Sequence, residues 1–259
     1  MIHHEFHTNE GTEVHYRRDL FDNPVAYCFF PAEANRELRI NLEMELELEE
    51  RNPFHFLLEE HAQKIPFAYQ PIEERMLTPY LSPSDQGSRS GGPIALPFWS
   101  AGPGEKDTVE LLVELIQALH KNIAYERRED GPARSAWETL QLGHGACRDT
   151  SLLLATVLRE LGLAARLVSG YLAESETSQT DRRAEGALHA WVEVYLPGAG
   201  WVGLDSTNGV LCNHHFISAA VGINPEDVTP VLGSYYGNQT VGSTLHTSLR
   251  LDISREASE

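Results

Sequence analysis

The feature that most constrains the fold is a helix predicted over residues 147–161, which is apolar on more than one face. Its apolar side chains crowd together at Leu152, Leu153, Ala155, Val157 and Leu158. A surface helix needs only a single apolar stripe, so this helix must be central and covered by other elements. Gly162 ends it, because glycine commonly follows the last residue of a helix.

Two alternating segments, residues 187–195 and 201–206, predict a hairpin joined through Pro-Gly-Ala-Gly. Strand faces alternate, and the even-numbered face is apolar: Ala190, Val192, Val194, Val202 and Leu204. His189 and Asp205 therefore share the other face. A turn at 196–198 sets these two side chains directly opposite each other, about 5 Å apart. A five-residue turn shifts the pair by one diagonal step, which is still within reach.

The start of the central helix carries the chemistry. Residues 143–149 read Gly-His-Gly-Ala-Cys-Arg-Asp, so a tight turn is followed by a cysteine at the helix N-terminus. The helix dipole and the free first-turn N–H groups favour the thiolate, the reactive form of cysteine. The same groups can hold an oxyanion, with the backbone N–H of Cys147 as the natural donor.

Each of the three candidate residues also has a purely structural interpretation. Cys147 could pack as a small apolar residue, His189 could be a half-exposed strand histidine, and Asp205 could cap the turn after it. Taken together, however, the strand parity and the helix-capping cysteine favour a catalytic arrangement. A carboxylate beside the imidazole fixes its tautomer and supports the imidazolium.

The rest of the chain divides into a strand-rich first part and a mixed second part. We predict a β-rich N-terminal domain over 1–77, a Pro/Gly/Ser-rich linker over 78–104 and a catalytic domain over 105–259. In the first domain, residues 13–16 and 38–48 alternate with period two, which indicates half-buried strands of an antiparallel sheet.

The second part contains helices and strands of recognisable pattern. Apolar residues three and four apart predict a helix near 106–126, with Asp107 and Thr108 both plausible N-caps. A shorter helix is predicted over 134–142 and a strand over 164–172. Residues 173–186 are polar and predict a mobile loop, and residues 243–253 alternate as a last strand.

Composition excludes some partners. The 259 residues carry a formal net charge of −18, which repels phosphate backbones and anionic lipid. We therefore expect no nucleic acid and no membrane as partner. The N-terminus shows no signal peptide, and three widely spaced cysteines fit a reducing cytoplasm. The group Cys212-Asn213-His214-His215 is too crowded to converge on a metal ion, so we expect no metal and no cofactor.

Four motifs together carry a resemblance to a known family. They are residues 143–149 above, 163–171 (Leu-Ala-Ala-Arg-Leu-Val-Ser-Gly-Tyr), 189–194 (His-Ala-Trp-Val-Glu-Val) and 200–209 (Gly-Trp-Val-Gly-Leu-Asp-Ser-Thr-Asn-Gly). In order and spacing they resemble the bacterial transglutaminase-like proteins, often described as cysteine proteases. Two departures are small: Ala146 stands where valine is usual, and Ser206 where proline usually follows the acid.

The resemblance implies an α+β fold with a papain-like, transglutaminase-like core, in which the nucleophile helix packs on an antiparallel sheet. It also implies a β-rich N-terminal domain before that core. In this family Cys147 would be the nucleophile, His189 the base and Asp205 the orienting acid.

Four further residues are weaker candidates. Gln141 lies six residues before Cys147, where papain-like enzymes place an oxyanion donor, although transglutaminases use a tryptophan elsewhere. Asp149 is either a dipole-favoured acid at a helix start or a group that shapes the site. By parity, Trp191 and Trp201 share the face of His189, where they either line a substrate groove or cover the sheet.

We therefore expect an enzyme that acts on a protein or peptide amide through a thioester, with Cys147→Ala abolishing activity at little cost in stability. Hydrolysis and transamidation both remain open, with a slight preference for hydrolysis from the breadth of the family. A binding or scaffolding module that kept the fold is the main alternative, and a thiol-based acyl carrier is a third. The oligomeric state does not follow from the sequence.

Overall fold

The computed structural model describes residues 2–31, 36–82, 93–128, 131–173, 187–234, 242 and 244–252. By internal contacts the chain forms two compact units, Met1–Arg51 and Asn52–Glu259. None of the helices in the described ranges is both long and apolar enough to cross a membrane.

The first unit consists of strands. Its described strands are β1 (His3–Thr8), β2 (Glu13–Arg18), β3 (Pro24–Phe29) and β4 (Ile40–Glu45). β1 pairs with β4 and β2 with β3, both antiparallel, as the alternation predicts. The predicted burial is wrong for β4, because Ile40 and Leu42 are each 45% exposed.

The second unit combines helices with a central sheet. Its described elements are β5 (Lys64–Ile65), α1 (Pro71–Leu81), β6 (Lys106–Asp107), α2 (Thr108–Asn122), β7 (Ala124–Tyr125), α3 (Ala136–Leu142), β8 (His144–Gly145), α4 (Cys147–Glu160), β9 (Ala165–Leu172), β10 (Ala187–Leu196), β11 (Gly200–Asp205), β12 (Val210–Leu211) and β13 (Phe216–Gly222). Short 3-10 turns lie at Glu60–Ala62 and Pro225–Val228.

Five of these strands form one antiparallel sheet in the order β12-β11-β10-β9-β13. The core joins the apolar face of the sheet to α2 and α4, and nine of its buried side chains lie between Leu152 and Leu167: Leu152, Leu153, Leu154, Ala155, Val157, Leu158, Leu163, Ala165 and Leu167. This confirms the expected α+β core with the nucleophile helix packed on an antiparallel sheet.

Helix boundaries follow their local caps. The Asp107 side chain accepts a hydrogen bond from the Glu110 N–H at 2.9 Å, so Asp107 rather than Thr108 caps α2. Ser135 and Glu138 form a capping box at the start of α3. The predicted helices over 106–126, 134–142 and 147–161 are therefore present, each slightly shorter than its sequence pattern.

The division between units lies earlier than the predicted linker. Residues 52–81 belong to the second unit, and the helix α1 runs into the predicted linker 78–104. The residues from 93 onward in the predicted linker also pack against the core of the second unit. Leu96 is 8% exposed, and the Ile94 N–H donates to the Glu160 carboxylate. Apolar residues among the prolines and glycines thus hold the segment on the core.

Two predictions about chain segments have other outcomes. The expected mobile loop over 173–186 lies, from residue 174 onward, outside the described residues. The expected last strand over 243–253 is wrong for its described part, because residues 244–252 form neither helix nor strand and are mostly exposed. Alternation alone does not make a strand where there is no partner to pair with.

Candidate active site

The loop before Cys147 depends on both glycines of the Gly-x-Gly motif. Gly143 ends α3 with φ of 68°, a left-handed conformation that favours glycine. Gly145 is required for space, because a Cβ there would lie 2.9 Å from Cβ of Asp149. Gly145 also belongs to β8, which pairs in parallel with β7 and so places Tyr125 opposite Gly145. The chain then enters α4 with Cys147 as its first helical residue.

Asp149 fixes this loop on the helix. Its side chain is fully buried and accepts hydrogen bonds from the Ala146 N–H at 2.9 Å and the Arg134 N–H at 2.8 Å. Nη2 of Arg128 adds a charged donor at 3.0 Å. Asp149 therefore does more than complement the helix dipole, because it ties the residue before Cys147 to the first turn of α4.

His189 and Asp205 meet on the sheet as strand parity predicts. In the observed register Val192 pairs with Leu204, so His189 and Asp205 are offset by one diagonal step rather than directly opposite. The turn at 196–198 is therefore wrong and the diagonal alternative is the one found. The imidazole Nε2 donates to Oδ2 of Asp205 at 2.9 Å, and both side chains are fully buried.

Burial and charge act in opposite directions on this pair. Burial disfavours the imidazolium, but attraction to Asp205 and the hydrogen bond to it prevail and raise the pKa of His189 to about 10. Burial likewise opposes ionisation of Asp205, whereas the His189 charge and hydrogen bonds hold its pKa below the usual value. The pair is therefore an imidazolium–carboxylate pair at neutral pH.

The Cys147 thiol lies close to the His189 imidazole. Nδ1 of His189 is buried and, among the described residues, has no hydrogen-bond partner of regular geometry. The Cys147 thiol is near enough to contribute to the raised pKa of His189, after Asp205, through hydrogen bonding and charge. The structure thus brings Cys147, His189 and Asp205 together in that order.

Asp205 also caps the turn that follows it, so its structural interpretation and its pairing with His189 hold together. The Thr207 N–H donates to Oδ1 at 2.8 Å, and Nδ2 of Asn208 donates to Oδ2 at 2.7 Å. A signal was present, because an aspartate followed by Ser-Thr-Asn-Gly is typical of a turn closed by its own carboxylate. These contacts leave Asp205 well satisfied despite complete burial.

Tyr125 is a residue that sequence reasoning missed. It is half-buried on β7, aligned with Gly145, and burial together with the neighbouring Cys147 sulfur raises its pKa. No motif in the sequence marks this tyrosine, since its position depends on the parallel pairing of two short strands far apart in the chain.

Trp191 supports the imidazole instead of lining an open groove. It is 2% exposed and stacks on His189, with ring centroids 6.2 Å apart and an interplanar angle of 25°. Phe216 contacts both rings, at 6.1 Å from His189 and 5.5 Å from Trp191. Of the two alternatives for Trp191, the geometry supports covering the sheet.

Trp201 and Gln141 lie away from these contacts. Trp201 packs beside Tyr80 and under the Arg166 guanidinium, whose Cζ lies 4.2 Å from the ring centroid. It precedes Asp205 by four residues, about 13 Å along a strand. Gln141 is exposed on α3 and makes no side-chain hydrogen bond within the described part of the chain. A groove role for Trp201 and an oxyanion role for Gln141 stay predictions.

The described residues contain no group of three or more His, Cys, Asp or Glu side chains placed to hold a metal ion. Cys212, which the sequence placed beside two histidines, packs against Gly203, where a Cβ would lie 2.9 Å from its sulfur. Burial and the nearby carboxylates raise the pKa of Cys212 well above its ordinary value.

The fold belongs to a class already seen in a solved structure. The crystal structure of a proposed cysteine protease from Cytophaga hutchinsonii matches 87% of this chain and 72% of its own, with a TM-score of 0.53 and 16% identity. At that identity the likeness establishes the fold and not the activity. Residues 100–206 match the model of the transglutaminase-like superfamily. The matched segment holds Cys147, His189 and Asp205.

Curated relatives include proteins of mycobacteria. An uncharacterized protein of Mycobacterium leprae is 36% identical over 107 residues, which is 41% of this chain and 38% of that protein. An uncharacterized protein of Mycobacterium tuberculosis (strain H37Rv) is 33% identical over 139 residues, 52% of this chain and 44% of that protein. The match thus spans about two fifths of the length of these relatives.

Proposed function

We propose that this protein is a thiol-dependent amide-bond enzyme in which Cys147 is the nucleophile, His189 the proton carrier and Asp205 the orienting acid. The observation that carries the proposal is the buried His189–Asp205 pair at 2.9 Å, with the Cys147 thiol close enough to the imidazole to help raise its pKa. A buried imidazolium needs such a carboxylate, and its remaining N–H stabilises a thiolate.

The first half of the reaction forms a thioester. The Cys147 thiolate attacks the carbonyl carbon of a peptide or carboxamide, and the electron pair of the C=O bond moves onto oxygen. The backbone N–H of Cys147, at the positive end of the α4 dipole, can hold this oxyanion. As the intermediate collapses, the His189 imidazolium gives its Nδ1 proton to the leaving amine, and the C–N bond breaks.

The second half releases the acyl group. Water or a second amine attacks the thioester, neutral His189 takes the proton of that nucleophile, and the C–S bond breaks to restore the thiolate–imidazolium pair. Water gives a carboxylic acid and an amine gives a new amide. The proposal covers both outcomes, and mass spectrometry of the products with and without a primary amine distinguishes them.

We further propose a protein or peptide amide as the substrate and the cytoplasm as the compartment. Cys28, Cys147 and Cys212 are free thiols, which supports a reducing environment. The net charge of −18 makes a nucleic acid or an anionic membrane an unfavourable partner.

The test is the rate of iodoacetamide alkylation of Cys147 against pH, read on its own peptide by mass spectrometry. Wild type and His189→Ala are compared, with His4→Ala as a control that removes an exposed histidine from the first unit. If the proposed ion pair is present, the wild-type and control rates should change little between about pH 6 and about pH 9.

His189→Ala should alkylate slowly at about pH 6 and recover at high pH, as an ordinary thiol does. A wild-type thiol that is slow at low pH, with a profile that His189→Ala leaves unchanged, would contradict the proposal. The chain would then be better explained as a binding module that retains the fold.

A further inference from the structure

We propose that Thr207 and Thr150 are positioning residues, whose joined hydroxyl groups set the nucleophile helix against the turn that carries Asp205. The two Oγ1 atoms are 3.0 Å apart, and the residues are 2% and 3% exposed. The inference rests on the proposed function, because it concerns how Cys147 is held relative to His189 and Asp205.

On the helix side the contact reaches Cys147 itself. Thr150 lies one turn after the cysteine, and its hydroxyl donates to the Cys147 carbonyl at 3.1 Å. A carbonyl can only accept, so this bond uses the single proton of Thr150. Oγ1 of Thr150 then accepts from the Thr207 hydroxyl, and the two bonds run in one direction and strengthen each other.

On the sheet side the same residue holds Asp205. The Thr207 backbone N–H donates to Oδ1 of Asp205 at 2.8 Å, two residues before it. Nδ1 of His120, on α2, lies 2.7 Å from the Thr207 carbonyl and donates to it. Gly209 leaves room for that histidine, because a Cβ at this position would lie 3.0 Å from Cβ of His120.

A directional contact near Cys147 is needed because the polar contact of Arg159 with the Ala165 carbonyl lies at the other end of α4, and the packing between these two points is aliphatic. α4 meets β9 and β10 through leucine, valine and alanine side chains, and such packing resists separation more than small sliding movements. The hydroxyl bridge joins the two elements close to the reacting groups. It therefore fixes the distance from the Cys147 sulfur to the imidazole, on which the thiolate–imidazolium pair depends.

The test is the alkylation profile of Cys147 in Thr207→Val, which keeps the shape of the side chain and removes the hydroxyl. We expect alkylation at about pH 6 to be about tenfold slower than in wild type, with the rate at about pH 10 unchanged. Thr207→Ser keeps the hydroxyl and should restore most of the low-pH rate. A merely structural loss would not change the pH dependence.

Thr156→Val is the matched control. It removes another buried hydroxyl from the same helix, one that donates to the Leu152 carbonyl at 2.8 Å, and should leave the profile unchanged. Thr150→Val removes the bridge from the other side and replaces Thr207→Val if that variant does not fold. A folded Thr207→Val or Thr150→Val protein with the wild-type profile overturns the inference alone. A wild-type thiol without low-pH reactivity overturns the proposed function and this inference with it.

Discussion

Replacing Asp205 by asparagine is the sharpest single perturbation of the site. The carboxylate accepts three close hydrogen bonds, from Nε2 of His189 at 2.9 Å, the Thr207 N–H at 2.8 Å and Nδ2 of Asn208 at 2.7 Å. Asparagine offers only one acceptor oxygen, so in either orientation its NH₂ group faces a donor. The variant therefore loses the negative charge, and it also makes two hydrogen-bond donors face each other.

The loss of the carboxylate charge should allow burial, which disfavours the imidazolium, to determine the protonation state of His189. Burial alone pushes the pKa of this imidazole below its ordinary value of 6.5, whereas with Asp205 it is about 10. Removing Asp205 takes away the larger of the two influences that raise this pKa and leaves only Cys147 against burial, so we expect the neutral ring to predominate at pH 7. Without the imidazolium, an ordinary thiol of pKa about 8.5 is only about 3% ionised at pH 7, so alkylation should slow about 30-fold.

The assay is iodoacetamide alkylation of Cys147 at pH 7 in wild type, Asp205→Asn and Asp227→Asn. The control is matched, because the Asp227 carboxylate also accepts two backbone N–H groups, at 2.8 and 3.0 Å, but caps the 3-10 turn Pro225–Val228 instead of contacting the imidazole. Circular dichroism checks that each variant is folded. A folded Asp205→Asn protein that alkylates within about twofold of wild type would refute the electrostatic reasoning.

Two further predictions concern stability. The pKa of His189 in the folded protein, about 10, exceeds its ordinary value of 6.5. The contribution of this imidazole to the free energy of unfolding is therefore complete below about pH 6.5 and is lost as pH rises through about 10. The difference in urea midpoint between wild type and His189→Gln should therefore shrink from pH 6.5 to pH 10. A difference that stays constant over this range would contradict the pH-dependent contribution of His189. Tyr69→Phe removes a hydroxyl that donates to the Tyr195 carbonyl at 2.8 Å and accepts from the buried Ala164 N–H at 2.9 Å. For Tyr69→Phe we expect a loss of about 1–3 kcal/mol in the free energy of unfolding, with the alkylation profile of Cys147 unchanged. An unaltered urea midpoint would show that water replaces the hydroxyl.

Much of the candidate site follows from local sequence rules. Capping residues and apolar spacing locate the helices, and strand parity alone brings His189 and Asp205 to one face. The register of the hairpin does not follow, because Pro-Gly-Ala-Gly is compatible with more than one turn. Both registers keep the apolar face together, so hydrophobic patterning cannot choose between them.

The supporting contacts lie beyond sequence reasoning for a different reason. The Thr150–Thr207 bridge joins residues 57 positions apart, and the contact of His120 with Thr207 joins residues 87 apart. Such pairs depend on how α2 and α4 meet the sheet, which no local pattern encodes. The packing of residues within the predicted linker is hidden for a similar reason, because composition marks loops but does not reveal that Leu96 and Ile94 pack on the core.

The hydroxyl of Tyr69 has a practical consequence for where the chain can be truncated. Similarity to the family model begins at residue 100, and a truncation at that point would discard residues 52–81. The retained part would expose the Ala164 N–H and the Tyr195 carbonyl, which lie where β9 begins and β10 ends, along with the aromatic side chains beside them. A recombinant fragment that carries the candidate site should therefore begin at Asn52, because the compact unit is larger than the segment that matches the family model.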